Sequence, residues 1–434
     1  MFVFPTANAS SSNSRLFVRI IQSTPRSNKP FRASSTTSTS SGNTRMEYSN
    51  GGGVPINEQG LPDPSIDQPE LLEFGSTGGV KTLLLSRPKA LNALSTSLCT
   101  RLRERVKRYE QSAGLVNTLI LRGAGVKAFC AGGDVRGLYD ARGDIQSQAK
   151  FFREEYSADY VLGTLRGITL VSIWDGICMG GGAGISIHGP IRIATERTIF
   201  AMPECAIGLH PDVGVSYFLA KLPNHIGMYL ALTGARLTGR DVYHAGIATH
   251  YVPSHRLSDM IRCLEESNTD SLHAVNSIIA DFEGQPMEEE GKNSEFVQQW
   301  PMIHRCFAWK RVEEVIQALK KETEATADST SKFAQQALEQ ILKGSPTSLK
   351  VTLESIEQAS QMTLKQTLQK DFRMSMHFMK GHDFYEGIRA TLVDKDRNPK
   401  WQPDKLEQVT RATVEEYFKP LKDIPDLQLD DRKY

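Results

Sequence analysis

Two carboxylic acids in an otherwise apolar stretch are the strongest candidates for chemistry. Glu204 and Asp212 both lie in the segment AMPECAIGLHPD, which begins at Ala201. Apolar neighbours disfavour the charged form of a carboxyl group, so its pKa rises and it becomes suited to proton transfer. Two acids in unequal surroundings are a common acid/base pair. Each acid could instead be a helix cap or part of a surface turn, and His210 between them is either a general base or a structural histidine.

Two glycine-rich segments could present backbone N–H groups to a ligand. Ala131–Asp134 (AGGD) and Met179–Gly184 (MGGGAG) each follow a run that predicts a strand. Glycine lets the backbone approach a ligand closely, and a helix that begins after such a loop starts with unpaired N–H donors. Such donors bind a phosphate group or stabilise an oxyanion. A plain turn and close helix packing are the alternatives for these two segments.

Several common catalytic patterns are missing from the sequence. There is no H-E-x-x-H pair and no Cys/His cluster, so no metal site is predicted. No Gly-Lys-Ser/Thr follows the second glycine segment, which argues against a nucleotide-binding P-loop. Ser186 and Ser216 lack the G-x-S-x-G context of a serine hydrolase. The six cysteines contain no C-x-x-C pair, and we interpret them as free thiols of a reducing compartment.

The elements that must position these segments alternate between strands and helices. Apolar runs predict strands at 81–86, 117–122, 168–174, 191–194 and 198–202. Helical spacing predicts helices over 91–109 and 146–165. Glycine loops follow the strands, as in α/β folds that bind ligands at the carboxyl ends of their strands. Beyond about residue 255, amphipathic helices replace the strands, with breaks at 344–346 and 398–403.

Composition excludes some classes of protein. The chain has 434 residues, of which 39% are hydrophobic and 23% charged, so it can form a sizeable core. Lys and Arg number 51 and Asp and Glu number 50, and the resulting net charge of +1 argues against a nucleic-acid-binding protein. No run of about 18 apolar residues occurs, so no membrane span is expected.

The amino terminus has the composition of a targeting leader. Residues 1–46 contain no Asp or Glu, six Lys or Arg and 17 Ser or Thr, which is typical of organelle-targeting segments. An untargeted disordered tail is the alternative. We predict a leader at 1–46, a linker at 47–75, an α/β core at 76–255 and a helical region at 256–434. A mitochondrial location is favoured over a plastid.

Taken together, the segments resemble a known superfamily. The crotonase (enoyl-CoA hydratase/isomerase) superfamily has similar segments in the same order and at similar spacing, namely Arg87–Leu94 (RPKALNAL), Ala128–Asp134 (AFCAGGD), Gly176–Gly182 (GICMGGG) and Ala201–Glu204 (AMPE). Further segments resemble its 3-hydroxyisobutyryl-CoA hydrolase family: Phe151–Tyr156, Gly208–Asp212, Leu232–Gly234, Gly246–His250, Ser345–Ser348, His382–Gly387 and Asp394–Trp401. The resemblance covers about residues 75 to 415, and the segment HDFYEG at 382–387 is absent from ordinary hydratases.

The resemblance implies a crotonase-like spiral of ββα units, followed by a helical C-terminal region, and an acyl-CoA thioester as substrate. The N–H groups of Gly133 and Gly181 would form an oxyanion hole, and Glu204 would be the catalytic carboxylate, as nucleophile or as base for water. Asp212 would assist Glu204 or hold the acyl 3-hydroxyl group. Further substrate-binding residues would be Glu155, Asp134, Ala131, Lys89, Ala90 and Leu91. No separate cofactor is expected, because coenzyme A is part of the substrate.

One departure from the superfamily pattern separates hydrolysis from hydration. Enoyl-CoA hydratases carry a second glutamate two residues after the triple glycine, and this position is Gly184 here. Addition of water to a double bond typically uses two carboxylates around one water, whereas hydrolysis needs an oxyanion hole and one activated nucleophile. The resemblance therefore favours a hydrolase of a short β-hydroxyacyl-CoA, most simply 3-hydroxyisobutyryl-CoA in valine breakdown.

Two other functions and two oligomeric states stay open at this point. Some members of the family are non-catalytic structural components of the mitochondrial ribosome, and a hydratase or isomerase is the further alternative. The presence of Gly133, Gly181, Glu204 and Asp212 favours an enzyme over a structural protein. A homo-oligomer is one possibility for the assembly, and a helical tail that covers the same surface within one chain is the other.

Overall fold

The computed structural model describes residues 69–75, 79–112, 114–267, 269, 271–284, 294–325 and 329–431. The leader predicted at 1–46 and most of the linker predicted at 47–75 lie outside these described residues. The last residues of that linker, 71–75, form a strand at the edge of a sheet. Pairing of strands therefore begins a few residues before the predicted start of the core.

All strands of the described residues precede residue 252. They are β1 (Leu71–Gly75), β2 (Val80–Leu85), β3 (Thr118–Gly123), β4 (Ala128–Cys130), β5 (Thr169–Trp174), β6 (Ile177–Met179), β7 (Ile191–Ala194), β8 (Ile199–Ala201), β9 (Leu237–Thr238) and β10 (His250–Tyr251). The five predicted strands correspond to β2, β3, β5, β7 and β8, with ends that differ by at most one residue. Their apolar runs are buried between helices, which is why the sequence shows them so clearly.

Helices occur throughout and account for almost all regular structure after residue 252. The α-helices of the described residues are α1 (Thr96–Glu110), α2 (Val135–Asp140), α3 (Ile145–Gly163), α4 (Gly181–Ile187), α5 (Val215–Leu219), α6 (Ile226–Thr233), α7 (Arg240–His244), α8 (Leu257–Ser267), α9 (Leu272–Ala280), α10 (Glu295–Gln298), α11 (Trp300–Phe307), α12 (Val312–Ala325), α13 (Ser329–Lys343), α14 (Pro346–Ala359), α15 (Leu364–Lys380), α16 (Asp383–Ile388) and α17 (Arg411–Glu416). The predicted break at 344–346 separates α13 from α14, where Pro346 occupies the first turn of α14 and Ser345 caps it.

The strands form two sheets that the chain visits in turn. The larger sheet has the order β1-β2-β3-β5-β7-β10, with β1 antiparallel and the other strands parallel. The smaller sheet has the order β4-β6-β8-β9, with β9 antiparallel. From β3 to β8 successive strands alternate between the two sheets. This alternation confirms the expected spiral of ββα units, and the helices after β10 confirm the helical C-terminal region.

The helix predicted over 91–109 begins later than the leucine spacing indicated. Residues 88–90 form a 3-10 turn, and Leu91 and Asn92 have φ values of 51° and 57°. The buried Asn92 side chain donates to the carbonyl oxygens of Ala124 and Ala128, at 3.0 and 2.8 Å, and so holds this turn against β3 and β4. Ser95 then caps α1 by accepting from the N–H of Leu98. Tertiary hydrogen bonds override the helical periodicity of this segment.

The helical C-terminal region packs directly on the α/β core. Helix α15 lies against α3, and α16 lies against α2 and the turn that follows β8. Asp383, at the start of α16, accepts from Ser345 Oγ at 2.5 Å and from the N–H of Gln402 at 2.8 Å. Within the described residues all six cysteines are free thiols, and no helix of this part combines the length and the apolarity that a bilayer crossing needs.

Gly208 is a point of close approach between the α/β core and the helical C-terminal region, and its replacement should destabilise the fold. Its φ is +70°, and a β-carbon there would overlap the carbonyl oxygen of Asp383. Because the left-handed backbone and the steric overlap act together, Gly208→Ala should lower the free energy of unfolding by about 2–4 kcal/mol. Gly246→Ala is the matched control, since its φ is +74° but its nearest neighbour would be 3.9 Å away, and it should cost about 1 kcal/mol. Equal losses for the two variants in denaturant unfolding would contradict the proposed close approach.

Candidate active site

Two glycine turns meet at the carboxyl ends of neighbouring strands. β4 ends at Cys130 and β6 ends at Met179, and these strands are parallel neighbours in the smaller sheet. The turns that follow them therefore lie side by side. A β-carbon at Gly181 would be 3.1 Å from the backbone nitrogen of Gly133. The backbone N–H groups of Gly133 and Gly181 thus belong to one small volume of space.

Neither of these N–H groups has an acceptor among the described residues. The N–H groups of Ala131 and Asp134 donate to the carbonyl oxygens of Leu91 and Leu94, which holds the first turn in place while the N–H of Gly133 stays unpaired. Gly181 is the first residue of α4, so no preceding helical turn can supply an acceptor for it. Unpaired donors cost free energy unless a ligand or water meets them. Two of them in one place can stabilise an oxyanion.

Glu204 lies close to the second glycine turn. It follows β8, the next strand of the smaller sheet, and begins a 3-10 turn. A β-carbon at Gly180 would be 3.1 Å from Glu204 Oε1. The side chain is 5% exposed, and Oε2 has no hydrogen-bond partner within the described part of the chain. A buried carboxylate oxygen without a partner is available to a bound molecule.

The donors and the acid share one cavity of about 110 Å³. Six of the predicted site residues line it: Ala131, Gly133, Glu155, Gly181, Glu204 and Asp212. Apolar side chains complete the wall, among them Val135, Leu138, Phe151, Ile207 and Leu209. The cavity can therefore take a small, largely apolar group and hold it between the N–H donors and the carboxyl groups.

Four of the predicted substrate-binding residues are outside the lining of this cavity. Lys89 and Ala90 are exposed, and Leu91 only contacts the first glycine turn through its carbonyl oxygen. Asp134 caps α2 by accepting from the N–H of Gly137 at 3.0 Å and pairs with Arg87 at 3.5 Å. The assignment of these four residues to substrate binding stays a prediction.

Glu155 and Asp212 complete the acidic part of the site. Glu155 lies on α3, and its Oε1 is close to both glycine turns, since β-carbons at Gly133 and Gly181 would meet it. Asp212 Oδ2 is 2.6 Å from the hydroxyl oxygen of Tyr156, also on α3. Helix α3 therefore positions one acid directly and the other through its neighbouring tyrosine.

Burial dominates the electrostatics of these acids. It raises the pKa of Glu204 well above its usual range, and the charge of Asp212 raises it further. It also raises the pKa of Glu155, with additional contributions from Asp212 and Glu204. Burial raises the pKa of Asp212 to about 6, although the hydrogen bond from Tyr156 lowers it. The cluster holds protons at a pH where exposed carboxyl groups have lost theirs.

A second layer of buried polar groups lies behind the cavity. Asp159, one helical turn after Glu155, is fully buried, and neither carboxyl oxygen has a partner among the described residues. Asp371 on α15 accepts from the N–H of Gly214 at 2.8 Å, and burial raises its pKa to about 7. The adjacent Lys370 donates to the carbonyl oxygen of Ser355 at 2.8 Å, and burial lowers its pKa to about 8.

Sequence reasoning missed most of this second layer. Asp159 had a signal, because two acids four residues apart lie on one face of a helix that is otherwise apolar on that side. Asp371 and Ser375 had none, since α15 is amphipathic and polar residues on such a helix normally face solvent. His210 was predicted as either a base or a structural residue, and it is fully buried outside the cavity lining.

The position that carries a second glutamate in hydratases has no room for one here. A β-carbon at Gly184 would be 2.5 Å from the Cβ of Val213 and 2.8 Å from Asp159 Oδ1. Any side chain would require the backbone or these neighbours to move. The glycine is therefore part of the packing of α4 against the core, and Glu204 is without that second acid.

This fold and this arrangement of amides and carboxyl groups define the enoyl-CoA hydratase/isomerase superfamily. The enoyl-CoA hydratase/isomerase family model matches residues 80–418. Two solved structures are similar: a carnitinyl-CoA dehydratase from Mycobacterium thermoresistibile, with 36% identity, a TM-score of 0.73 and coverage of 84% of this chain and 99% of that one; and an enoyl-CoA hydratase from Rhodobacter sphaeroides, with 30% identity, a TM-score of 0.71 and coverage of 83% and 100%.

More similar sequences narrow the assignment. The chain is 44% identical to 3-hydroxyisobutyryl-CoA hydrolase 1 of Arabidopsis thaliana, over 81% of this chain and 92% of that protein. It is 43% identical to the mitochondrial 3-hydroxyisobutyryl-CoA hydrolase of Gallus gallus, over 79% and 87%, and 42% identical to that of Homo sapiens, over 81% and 88%. The chain belongs to the 3-hydroxyisobutyryl-CoA hydrolase family, as its sequence motifs predicted.

The unpartnered Asp159 should make stability depend on pH in a defined direction. Burial and the charges of Glu155, Asp212 and Asp371 raise its pKa in the folded protein. The folded state thus binds a proton that the unfolded state releases, so stability falls as pH rises from about 4 towards the folded-state pKa. We expect Asp159→Asn to raise the melting temperature at pH 8, and the gain to shrink as the pH is lowered towards 4.

Asp281→Asn, at an exposed position, is the control for this measurement and should change little at either pH. A gain for Asp159→Asn that is the same at pH 4 and pH 8 would show that the side chain is not held as a buried acid.

Proposed function

We propose that this chain hydrolyses a short β-hydroxyacyl-CoA thioester, 3-hydroxyisobutyryl-CoA in the first instance, to the free hydroxy acid and coenzyme A. The observation that carries the proposal is the shared cavity in which two unpaired N–H groups face a buried glutamate. The choice of the 3-hydroxyisobutyryl group rests on the names of the relatives given above. No cofactor other than the coenzyme A of the substrate is needed for this reaction.

The N–H groups of Gly133 and Gly181 bind the carbonyl oxygen of the thioester. Negative charge develops on that oxygen as the carbon becomes tetrahedral, and preorganised donors stabilise it more in the transition state than in the ground state. Loss of one such donor typically costs about 10²–10³ in rate. Because both donors are backbone groups at the ends of strands, their positions are determined by the sheet and not by side-chain rotamers.

Glu204 acts on the carbonyl carbon that these donors polarise. Its free Oε2 can add to the carbon directly or take a proton from a water that does so. Desolvation makes the carboxylate more reactive than it would be in water. Asp212 and Glu155 face the same cavity and can hold the 3-hydroxyl group of the acyl chain or exchange protons with the reacting groups.

The packing of Gly184 favours this reaction over hydration, and the size of the cavity favours a short acyl group. Sites that enclose drug-sized ligands typically measure about 300–1,000 Å³, whereas this cavity measures about 110 Å³ and suits only a short acyl group. Val213 and Asp159 occupy the space that a second glutamate would need. Glu204 therefore acts without the partner that a hydratase uses to position water across a double bond.

Glu204→Gln should abolish release of thiol from 3-hydroxyisobutyryl-CoA. The amide keeps the size of the side chain but can neither attack the carbonyl carbon nor accept a proton, so turnover should fall by roughly 10²–10⁴-fold or more. The measurement is a thiol-release assay over a panel of short acyl-CoA esters. Glu265→Gln is the matched control, because it also replaces a partly buried glutamate with a raised pKa, but on α8 and away from the cavity.

Residual turnover of Glu204→Gln near the wild-type value would refute this role of Glu204. Conversion of crotonyl-CoA without thiol release would indicate a hydratase instead. A single turnover in H₂¹⁸O then separates the two routes. Direct attack by Glu204 places ¹⁸O in the Glu204 side chain when the anhydride is hydrolysed at that carbon, whereas a water activated by Glu204 delivers ¹⁸O only to the product.

We further propose that the chain acts in mitochondria. Two observations support this location: the acid-free, Arg- and Ser-rich composition of residues 1–46, and the mitochondrial names of several relatives. The Arabidopsis relative carries no such name. A fusion of residues 1–60 to a fluorescent protein should co-localise with a mitochondrial marker, and the same fusion with all six basic residues of 1–46 changed to Gln should not. Plastid import of the unchanged fusion would overturn the proposal.

A further inference from the structure

A hydrogen-bond chain runs from the active site into the core. Its members are Asp212, Tyr156, Ser375 and His210, and 'the chain' below refers to it. Asp212 Oδ2 is 2.6 Å from the hydroxyl group of Tyr156, which is 2.7 Å from Ser375 Oγ. Ser375 Oγ is 3.0 Å from His210 Nε2, and His210 Nδ1 is 3.2 Å from the carbonyl oxygen of Pro211. Tyr156, Ser375 and His210 are all fully buried, so water does not compete for these contacts.

The number of hydrogens in this chain depends on the protonation of Asp212. The carbonyl oxygen of Pro211 can only accept, so Nδ1 of a neutral His210 carries its hydrogen and Nε2 must accept from Ser375. Ser375 then accepts from Tyr156, and Tyr156 has no hydrogen left for Asp212. Four contacts need four hydrogens, and three groups supply only three. A proton on Asp212 completes the chain.

The alternative position for the fourth proton is His210, and its surroundings oppose a positive charge there. The ring is fully buried and stacks on Phe378 with centroids 5.4 Å apart. Burial lowers the pKa of His210 to about 3, and the charge of Lys370 contributes in the same direction. The proton therefore stays at the Asp212 end. Asp212 donates to Tyr156, Tyr156 donates to Ser375, and Ser375 donates to His210.

We propose that Ser375 and His210 are positioning residues that engage the hydrogen of the Tyr156 hydroxyl group, hold a proton on Asp212 and thereby leave Glu204 as the carboxylate. This inference rests on the proposed function, in which Glu204 must be ionised. Glu204 and Asp212 face one cavity and compete for a proton. Because the charge of Asp212 raises the pKa of Glu204, a proton held on Asp212 lowers that pKa again and favours the carboxylate form of Glu204.

The held proton has a use in thioester cleavage. When the carbon–sulfur bond breaks, its electron pair goes to sulfur, and Asp212 gives its proton to that sulfur to form the thiol of coenzyme A. Water supplies its oxygen to the acyl carbon, or to the Glu204 carboxyl carbon if an anhydride has formed, while one of its O–H bonds breaks. This proton returns to Asp212, directly or through Glu204. The reaction consumes one water and needs no other reactant.

Other charged groups face this chain and contribute to the balance. Glu155 and Asp159 on α3 and Asp371 on α15 are buried acids whose charges, when present, raise the proton affinity of their neighbours. Lys370, on α15 beside Asp371, carries the nearest positive charge to His210. None of these four groups is a hydrogen-bonded member of the chain, so substitutions within the chain change its hydrogen bonds without removing a charge.

The test is the pH dependence of thiol release for a variant that interrupts the hydrogen-bond chain at a residue far from the substrate. Ser375→Ala removes the acceptor of Tyr156, so Tyr156 becomes free to donate to ionised Asp212 and the proton on Asp212 is less favoured. We expect kcat to fall several-fold and the pH optimum to move to lower pH by roughly 0.2–0.5 unit, as the loss of one hydrogen bond implies. Ser348→Ala is the control, because it removes a buried helical hydroxyl group that has no partner among the described residues.

Tyr156→Phe should shift the optimum in the opposite direction. It deletes the donor to ionised Asp212, a charge-assisted bond that is stronger than the bond lost by the protonated form. The pH optimum should therefore rise, while thermal unfolding shows that both variants remain folded. A merely structural role would lower activity at every pH without moving the optimum. An unchanged optimum in both variants, or the same shift in Ser348→Ala, overturns the proposal.

A second readout does not depend on activity. In protein labelled with ¹⁵N-histidine, His210 should be neutral at pH 7 with the hydrogen on Nδ1, and the Nε2 resonance should move in Ser375→Ala. His210→Asn identifies the resonances. A hydrogen on Nε2 in the wild-type protein would reverse the direction of the chain and refute the inference. If wild-type protein released no thiol at all, the proposed function would fail, and this spectrum would still decide whether the chain exists as described.

Discussion

The burial of several carboxyl groups next to unpaired backbone N–H groups is the constraint on which the site depends. An ionised carboxylate in such surroundings is costly, and an unpaired N–H group is costly as well. A folded chain that retains both keeps a region of unsatisfied polar atoms that a substrate can satisfy. Glu204, Gly133 and Gly181 meet this description because each follows a strand of the smaller sheet, and the spacing of those strands sets their separation.

The rest of the core supports this arrangement. The turn at residues 88–92 is held by Asn92 and in turn holds the first glycine turn through Leu91 and Leu94. Trp174 at the end of β5 donates to Ser186 on α4 at 3.0 Å, and Ser186 donates to the carbonyl oxygen of Gly182 at 2.6 Å. These bonds orient the start of α4, so Ser186 has a structural role and is not a nucleophile. Preorganisation of this kind lowers the reorganisation needed during reaction.

The helical C-terminal region contributes to the chemistry as well as to packing. Helix α15 supplies Ser375, which contacts Tyr156, and Asp371, which accepts from the N–H of Gly214. Helix α16 lies against the turn that contains Glu204. The amides and the glutamate of the active site therefore lie in a proton environment to which the C-terminal helices contribute.

The sequence alone determined the strands β2, β3, β5, β7 and β8, the two glycine turns and the candidate acids, because each depends on local information: apolar runs for β3 and β5, and glycine and proline around Gly133, Gly181 and Glu204. Residue types at those spacings were also enough to identify the family. Tertiary structure decided the true start of α1 and the exclusion of Asp134 and Lys89 from the cavity lining. It also brought Tyr156 into contact with Ser375, which lies 219 residues further along the sequence, and Ser375 into contact with His210. Contacts of that kind depend on how helices pack across the chain, and burial, which residue type alone does not reveal, raises the pKa of Asp212 and lowers that of His210.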